Sequence, residues 1–402
     1  MKTADPELMR AINRFHVMDA IRRFGPIARV EICERTELSP TTVSAITAAL
    51  LEDQLIVPRQ IGAVRDATRG RPRIMLELNA DAAFVVGVKL APDQITVATT
   101  DFRADVLKSV ALPIRIDRQP VSVIVDLVED GVRRCIADAG LSPERISGIC
   151  VGLPGVVERA AGVCRQSPIF RKRDVPFARE LGRRLAIAAT VDTDVNLVTL
   201  AEHWFGGGRG LDDFIVVSVE HSLGLGVIHN GELFRGANGI GPDLGDLLVR
   251  PPGPQGDGNG TGRLADIASI AAILVDAGTK TDGGGNGHTM GQIIAMAEAG
   301  DQSVIGTLAS AGEALGFAIA NLITLFAPPK VILAGAALEA GDLLLGPLRA
   351  TVAALTPANL ADVSEIAVHE WGDDMWARGA AAMTLRDLYG APWGTTGPAK
   401  LR

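Results

Sequence analysis

Apolar residues recur every three to four positions through the N-terminal segment: Leu8, Ile12, Phe15, Val17, Met18 and Ile21. That spacing predicts an amphipathic helix that ends at Phe24-Gly25-Pro26, where glycine and proline stop it. A short second helix is expected over Arg29–Arg35, then a turn at Thr36-Glu37-Leu38. Ser39-Pro40 reads as an N-cap with proline in the first helical position, and a third helix follows from Thr41 to about Gln54. Its inner face would carry Val43, Ile46, Ala49 and Leu50, with Ile56 beyond its end. Its outer N-terminal face would carry Thr41, Thr42, Ser44 and Ala45, all small. The period then changes. Ile56-Val57 and Ile74-Met75-Leu76 read as strands, Val86–Val97 as strand, tight turn and strand, and Ile149–Gly155 as a buried strand entering a Gly-x-Pro-Gly turn. From Ala83 onward strands and helices alternate, which predicts an α/β protein.

Two short helices joined by a tight turn, the second presenting small hydrogen-bonding side chains, follow the helix-turn-helix plan. A small helical dimerisation module would show the same periodicity. The loop between the strands separates the two: Arg59, Arg65, Arg69, Arg71 and Arg73 are opposed only by Asp66. An arginine- and glycine-rich loop between two strands is a wing, and Gly70-Arg71-Pro72 suits a narrow, negative minor groove. The expected partner is double-stranded operator DNA, contacted by Thr41, Thr42, Ser44, Arg69 and Arg71.

Length and charge bound this picture. A chain of 402 residues exceeds one ordinary core and predicts two or three domains. A net charge of −8 confines any nucleic-acid contact to a local basic patch. Cys33, Cys135, Cys150 and Cys164 are scattered without a Cys-x-x-Cys pair, which argues for reduced thiols and against a disulfide framework. Met1–Pro6 is no signal peptide, and no apolar run reads as long and charge-free enough to cross a bilayer. A cytoplasmic protein without membrane contact is expected.

Several stations then match a known family in order. They are Gly152-Leu153-Pro154-Gly155; Thr193-Asp194-Val195-Asn196 with Ala201–Gly206; Asn230–Ala237; Pro328–Ala336; and Trp376–Ala381. Together they resemble the ROK family of repressors and sugar kinases, over nearly everything from Ala83 to Gly390. The N-terminal segment is similar to the MarR-like winged helix that precedes the sugar-binding domain in ROK repressors. The resemblance implies a winged helix-turn-helix over residues 1–80, then a two-lobed actin/hexokinase-like domain. Lobe 1 would span 81–192 with the C-terminal helix 376–390, and lobe 2 would span 193–375.

The departures from the family pattern bear on function. ROK kinases carry a first phosphate loop like Asp-Ile-Gly-Gly-Thr-Lys; here Lys89 stands at the acidic position, Ala91-Pro92-Asp93 replaces Gly-Gly-Thr, and Gln94 replaces the basic residue. Pro92 has no N–H to donate and Asp93 repels phosphate. A second loop like Gly-Thr-Gly-Ile-Gly has become Glu220-His221-Ser222-Leu223-Gly224. Phosphoryl transfer depends on positioning and charge neutralisation, so no catalytic residue, nucleotide cofactor or enzyme activity is expected. The competing expectation is an ATP-dependent sugar kinase. The cysteine cluster that holds a structural zinc in many ROK proteins is replaced by Gly256–Arg263, and its histidine by Asp246, so no metal is expected. Pro251–Gly262 and Gly283–His288 read as loops.

By the same resemblance, Asp194 occupies the place of the kinase base and can still accept a sugar O–H; the alternative is a structural cap on the following helix. Glu220, His221, Asp243 and Asp246 complete a carboxylate-rich effector site, with Asp243 and Asp246 as solvated turn residues in the alternative. Such a site favours a neutral sugar or polyol, or a cationic amino sugar, over a phosphorylated one. The expected protein is a sugar-responsive repressor of carbohydrate uptake or catabolism genes, working as a homodimer or tetramer. We predict that Arg71→Ala weakens operator binding and flattens its salt dependence, measured as the slope of log affinity against log salt. An unchanged slope removes the wing from the DNA contact.

Overall fold

The structure, a computed structural model, describes residues 6–59, 74–117, 119–236, 239–249, 262–282, 288–369 and 375–389. The N-terminal unit is α1 (Pro6–Phe24), β1 (Ile27–Ala28), α2 (Arg29–Thr36), α3 (Pro40–Glu52), β2 (Ile56–Arg59) and β3 (Met75–Leu78). All three expected helices form. Ser39 caps α3 by accepting from the Thr42 N–H at 3.1 Å, with Pro40 in the first turn. One inner-face position was missed: Thr47 is buried, and its hydroxyl receives the Arg29 Nε–H at 2.8 Å, tying α2 to α3. β2 and β3 pair antiparallel as the base of a wing, and β1 adds a third strand, Ile27 opposite Leu76. The wing's tip, with Arg65, Arg69, Arg71 and Arg73, lies outside the described residues.

Two five-stranded sheets follow. The first contains β4 (Phe84–Ala91), β5 (Gln94–Thr100), β6 (Val106–Leu112), β7 (Ile146–Leu153) and β10 (Ala189–Thr193), in the order β10-β7-β4-β5-β6. Helices α4 (Val121–Asp138) and α5 (Phe177–Leu185) and the hairpin β8 (Val156–Glu158)–β9 (Val163–Gln166) complete this lobe. The second sheet contains β11 (Phe214–Val219), β12 (Leu223–His229), β13 (Glu232–Leu233), β14 (Lys330–Ala334) and β15 (Glu365–Val368), in the order β13-β12-β11-β14-β15. In both sheets the first strand is central, antiparallel to its hairpin partner and parallel to the next strand on the other side. The lobes therefore share one topology, and β4 and β11 occupy equivalent places. Two strips of alternating strand and helix thus produced the expected two-lobed α/β architecture.

Lobe 2 is filled by α7 (Ala265–Ala268), α8 (Ile270–Asp282), α9 (Met290–Glu298), α10 (Gln302–Phe326) and α11 (Asp342–Leu355). Here one expectation is corrected. By length and composition α10 would pass as a membrane-crossing helix, with Glu313 as its lone charge. It instead packs against α11 and α8, and Val304, Leu308, Leu315 and Ile319 are fully buried in the lobe's core. A sequence scan cannot separate the two, because a buried core helix and a membrane span meet equally apolar surroundings.

The lobes meet on two helices, α6 (Asp194–Phe205) and α12 (Met375–Leu388). α6 lies on β12 on one side and on α12 on the other, and α12 lies on β4 and β7. Glycine permits these contacts. A Cβ on Gly379 would sit 1.8 Å from the Leu197 carbonyl oxygen, and one on Gly226 would sit 1.8 Å from the Thr199 hydroxyl. The far ends of both helices carry the winged helix. Arg22 of α1 stacks 4.0 Å from the Trp204 ring and pairs with Asp19 at 2.7 Å. Trp204 stacks on Tyr389, whose hydroxyl donates to the Phe102 carbonyl at 2.8 Å. Burial works against the Asp19 carboxylate, but Arg22 and Arg23 hold it below the usual range. His203, buried beside Arg22 and Arg23, is kept neutral, its pKa pushed down to about 3 by burial first and those cations second. The cores of the winged helix and of the α6–α12 layer form one continuous apolar cluster. We predict that Gly379→Ala destabilises the whole chain by about 3 kcal/mol, seen as a lower thermal midpoint. An unchanged midpoint would mean α6 and α12 have freedom to separate.

Candidate functional site

The N-terminus of α6 faces the cleft between the lobes. Thr193, not Asp194, caps it: the Thr193 hydroxyl accepts from the Asn196 N–H at 3.4 Å. That leaves Asp194 as the first helical residue, where its carboxylate accepts only its neighbour's N–H, Val195 at 2.8 Å, among the hydrogen bonds described. Loss of solvent pushes its pKa above the usual carboxylate range; Lys89 opposes the shift and Glu220 adds to it. Just inside the cleft a cavity of about 200 Å³ is lined by Asp194, Asn196, Asp243 and Asp246, with Pro168 and Ser222.

Three of the expected effector residues are thus brought together, and two are not. Asp243 and Asp246 line the cavity but are also turn residues. Asp243 accepts the N–H groups of Gly245 (3.0 Å) and Asp246 (3.3 Å), and the exposed Asp246 carboxylate pairs with Arg263. His221 is exposed on the β11–β12 turn and lines neither this cavity nor the next. Glu220 lines a separate cleft of about 650 Å³, alongside Lys89, Ser218, His369 and Trp376. Its Oε1 lies 3.6 Å from Lys89 Nζ. The residues that depart most from the two phosphate loops therefore face each other across the lobes.

Sequence reasoning missed the support beneath Asp194. Asp192, almost wholly buried, accepts Asn196 Nδ2 at 2.7 Å and the Thr193 N–H at 2.8 Å, and pairs with Arg235 at 2.6 Å. Arg235 comes from lobe 2, so this carboxylate both orients α6 and ties the lobes. Glu202 near the other end of α6 is buried as well, accepts the Gly207 N–H at 2.6 Å and bonds His369 of lobe 2. An acidic residue ending an apolar strand is a visible signal for a buried partner, but the partner itself is distant in sequence.

On α3, Thr41, Ser44 and Ala45 are exposed and free to meet a groove. Thr42 is half-buried, and its hydroxyl shares a 2.8 Å hydrogen bond with Ser39 in the helix cap. Arg59, at the base of the wing, pairs with Glu77 across the strands at 3.0 Å. Arg69 and Arg71 lie outside the described residues. Of the stretch that replaces the zinc cluster, Gly262 and Arg263 are described and 256–261 lie outside the described residues, as do 251–255 and 283–287 of the two expected loops.

A winged helix joined to two actin-like lobes with a polar cleft between them defines a two-part architecture, one part for each expected ligand. Residues 85–387 match the ROK family, and the chain belongs to that family. It is 25% identical over 398 residues to the putative xylose repressor of Caldicellulosiruptor sp. strain Rt8B.4, covering 96% of this chain and 98% of the relative. It is 28% identical over 347 residues to the DNA-binding transcriptional dual regulator NagC of Escherichia coli K12, covering 84% of each chain. Among solved structures, a ROK family transcriptional regulator described as a homolog of E. coli MLC aligns with a TM-score of 0.78 at 24% identity, covering 96% of this chain and 98% of that one. A ROK glucokinase from Streptomyces griseus, in complex with glucose and AMPPNP, aligns with a TM-score of 0.65 at 22% identity, covering 75% of this chain and 99% of that one. A match over 96% of the chain has to include most of the winged helix, whereas the glucokinase finds its full length within three quarters.

We predict that Asp194→Asn raises the thermal midpoint at pH 7 while weakening sugar binding. A folded-state pKa above the unfolded value means the fold favours the protonated acid, so the ionised form carries a penalty above that window. The advantage of asparagine should fade as pH falls toward the unfolded value of 3.8. A lower midpoint at pH 7 would mean that the carboxylate is stabilised by its neighbours in the cleft.

Proposed function

We propose that this protein is a sugar-responsive transcriptional repressor of carbohydrate uptake or catabolism genes, with its effector in the Asp194 cavity and its operator on α3 and the wing. One observation carries this. α6 begins at Asp194 in the cavity and ends at Phe205, and Trp204 in its last turn lies under Arg22 of the winged helix. A helix of 12 residues spans about 18 Å. A sugar that changes the angle between the lobes moves a rigid rod whose other end holds the DNA-binding unit.

On this proposal the functional divisions are 1–80 for the winged helix, 81–192 with 376–390 for lobe 1, and 193–375 for lobe 2. The protein acts in the cytoplasm as a homodimer, placing two α3 helices in successive major grooves of an inverted repeat. A change in their separation on effector binding supplies the 1–3 kcal/mol typical of allosteric coupling. Thr41 and Ser44 contact bases or phosphates, while Thr42 serves chiefly the cap. The relative named putative xylose repressor supports a sugar effector, and the NagC relative supports DNA-binding regulation; the carboxylates around the cavity favour an unphosphorylated sugar. The kinase alternative needs two phosphate-holding loops, and the first now carries Lys89, Pro92 and Asp93 and the second Glu220.

The test is in two parts. DNA selected from a random library by the intact protein should contain an inverted repeat, and one of D-xylose, D-glucose or N-acetylglucosamine should raise the thermal midpoint and change affinity for that DNA. A ligand at a hundredfold its Kd stabilises by about 2.7 kcal/mol. ATP turnover with magnesium and any of these sugars, abolished by Asp194→Asn, would establish the kinase instead.

A further inference from the structure

Lys89 and Glu220 come from equivalent places in the two sheets. Lys89 is near the end of β4 and Glu220 directly follows β11, the central strands of lobes 1 and 2. Their charged atoms meet at 3.6 Å across the cleft, with side chains 27% and 31% accessible. Both line the larger cleft, and both act electrostatically on Asp194 at the edge of the smaller one, in opposite directions. Two replacements in separate phosphate loops have therefore produced complementary charges that meet. Either alone would leave an uncompensated charge beside Asp194.

We propose that the Lys89–Glu220 pair is an interlobe clamp that holds the cleft closed and makes the effector cavity select unphosphorylated sugars. The geometry explains both effects. A lysine engaged by a carboxylate from the opposite lobe ties β4 to β11, in a place where the described residues offer no backbone pairing between the sheets. The same engagement spends the positive charge of Lys89, so a phosphate entering beside Asp194 meets Asp194 and Glu220 with no free cation of that pair to offset them, while Arg263 is already engaged by Asp246. The buried Asp192–Arg235 pair joins the lobes on a separate contact and leaves Lys89 and Glu220 to set the charge at this point. The specificity half of this proposal rests on the sugar-sensing function above; the clamp half does not.

The experiment uses the unaltered full chain and three variants: Lys89→Gln, Glu220→Gln and the charge-swapped pair Lys89→Glu with Glu220→Lys. Small-angle scattering without sugar reads the clamp. Each single variant should show a larger radius of gyration, the swapped pair should return toward the original, and salt near 1 M, which shortens the screening length to about 3 Å, should move the original toward the single variants. Unchanged radii in both single variants, or no recovery in the swapped pair, overturns the clamp. Calorimetry with D-glucose, N-acetylglucosamine and glucose 6-phosphate reads specificity. Glu220→Gln should tighten glucose 6-phosphate about fivefold, the size of an exposed ion pair of about 1 kcal/mol, and Lys89→Gln should not. Equal affinity of the original protein for glucose and its 6-phosphate, or a gain in Lys89→Gln, overturns the specificity. Failure of every sugar to bind the original protein removes the sugar-sensing function, and scattering still decides the clamp.

Discussion

The structure depends on the close crossing of α6 and α12. Leu197 on one helix and Gly379 on the other come so near that a single added carbon would fall within 1.8 Å of a carbonyl oxygen. That crossing joins the two lobes, since α6 lies against the lobe 2 sheet and α12 against the lobe 1 sheet. Everything functional hangs from its ends. The N-terminus of α6 presents Asp194 to the cleft, and its C-terminus, together with that of α12, presents Trp204 and Tyr389 to the winged helix.

Such an arrangement lets small motions travel without a long chain of adjustable contacts. Packed interiors resist continuous deformation, so helices move as bodies. The ends of α6 are each held by a buried acid with a partner in lobe 2: Asp192, just before the helix, by Arg235, and Glu202, within it, by His369. The winged helix is held by a stacked set, Arg22 on Trp204 on Tyr389, which orients by face rather than by a single bond. On the proposed function, a change in lobe angle would reach α1 through that stack. The neutral, buried His203 beside it keeps the joint free of an added charge at physiological pH.

Much of this was legible in the chain. The three N-terminal helices and the Ser39 cap follow from period and turn chemistry, which act locally, and the loss of both phosphate loops is written in Lys89, Pro92, Asp93 and Glu220. Asp194 was singled out, but the idea that it caps α6 gave way to Thr193 one residue earlier, because the N-cap role requires extended backbone and a side chain reaching back to the third N–H. His221 was expected beside Glu220 in the interlobe effector site; the β11–β12 turn leaves it exposed and outside both cavities.

The sequence by itself determined the order of elements, the family pattern and which chemistry is missing, since those depend on neighbours within a helical turn or a hairpin. Only the tertiary structure decided which charges meet. Lys89 and Glu220 are 131 positions apart, by 220 − 89, and nothing in either loop names the other. The same holds for Asp192 with Arg235 and for Arg22 with Trp204. Whether α10 crosses a bilayer or fills a core was likewise settled by its packing partners, because apolar periodicity records that a face is buried and not what buries it.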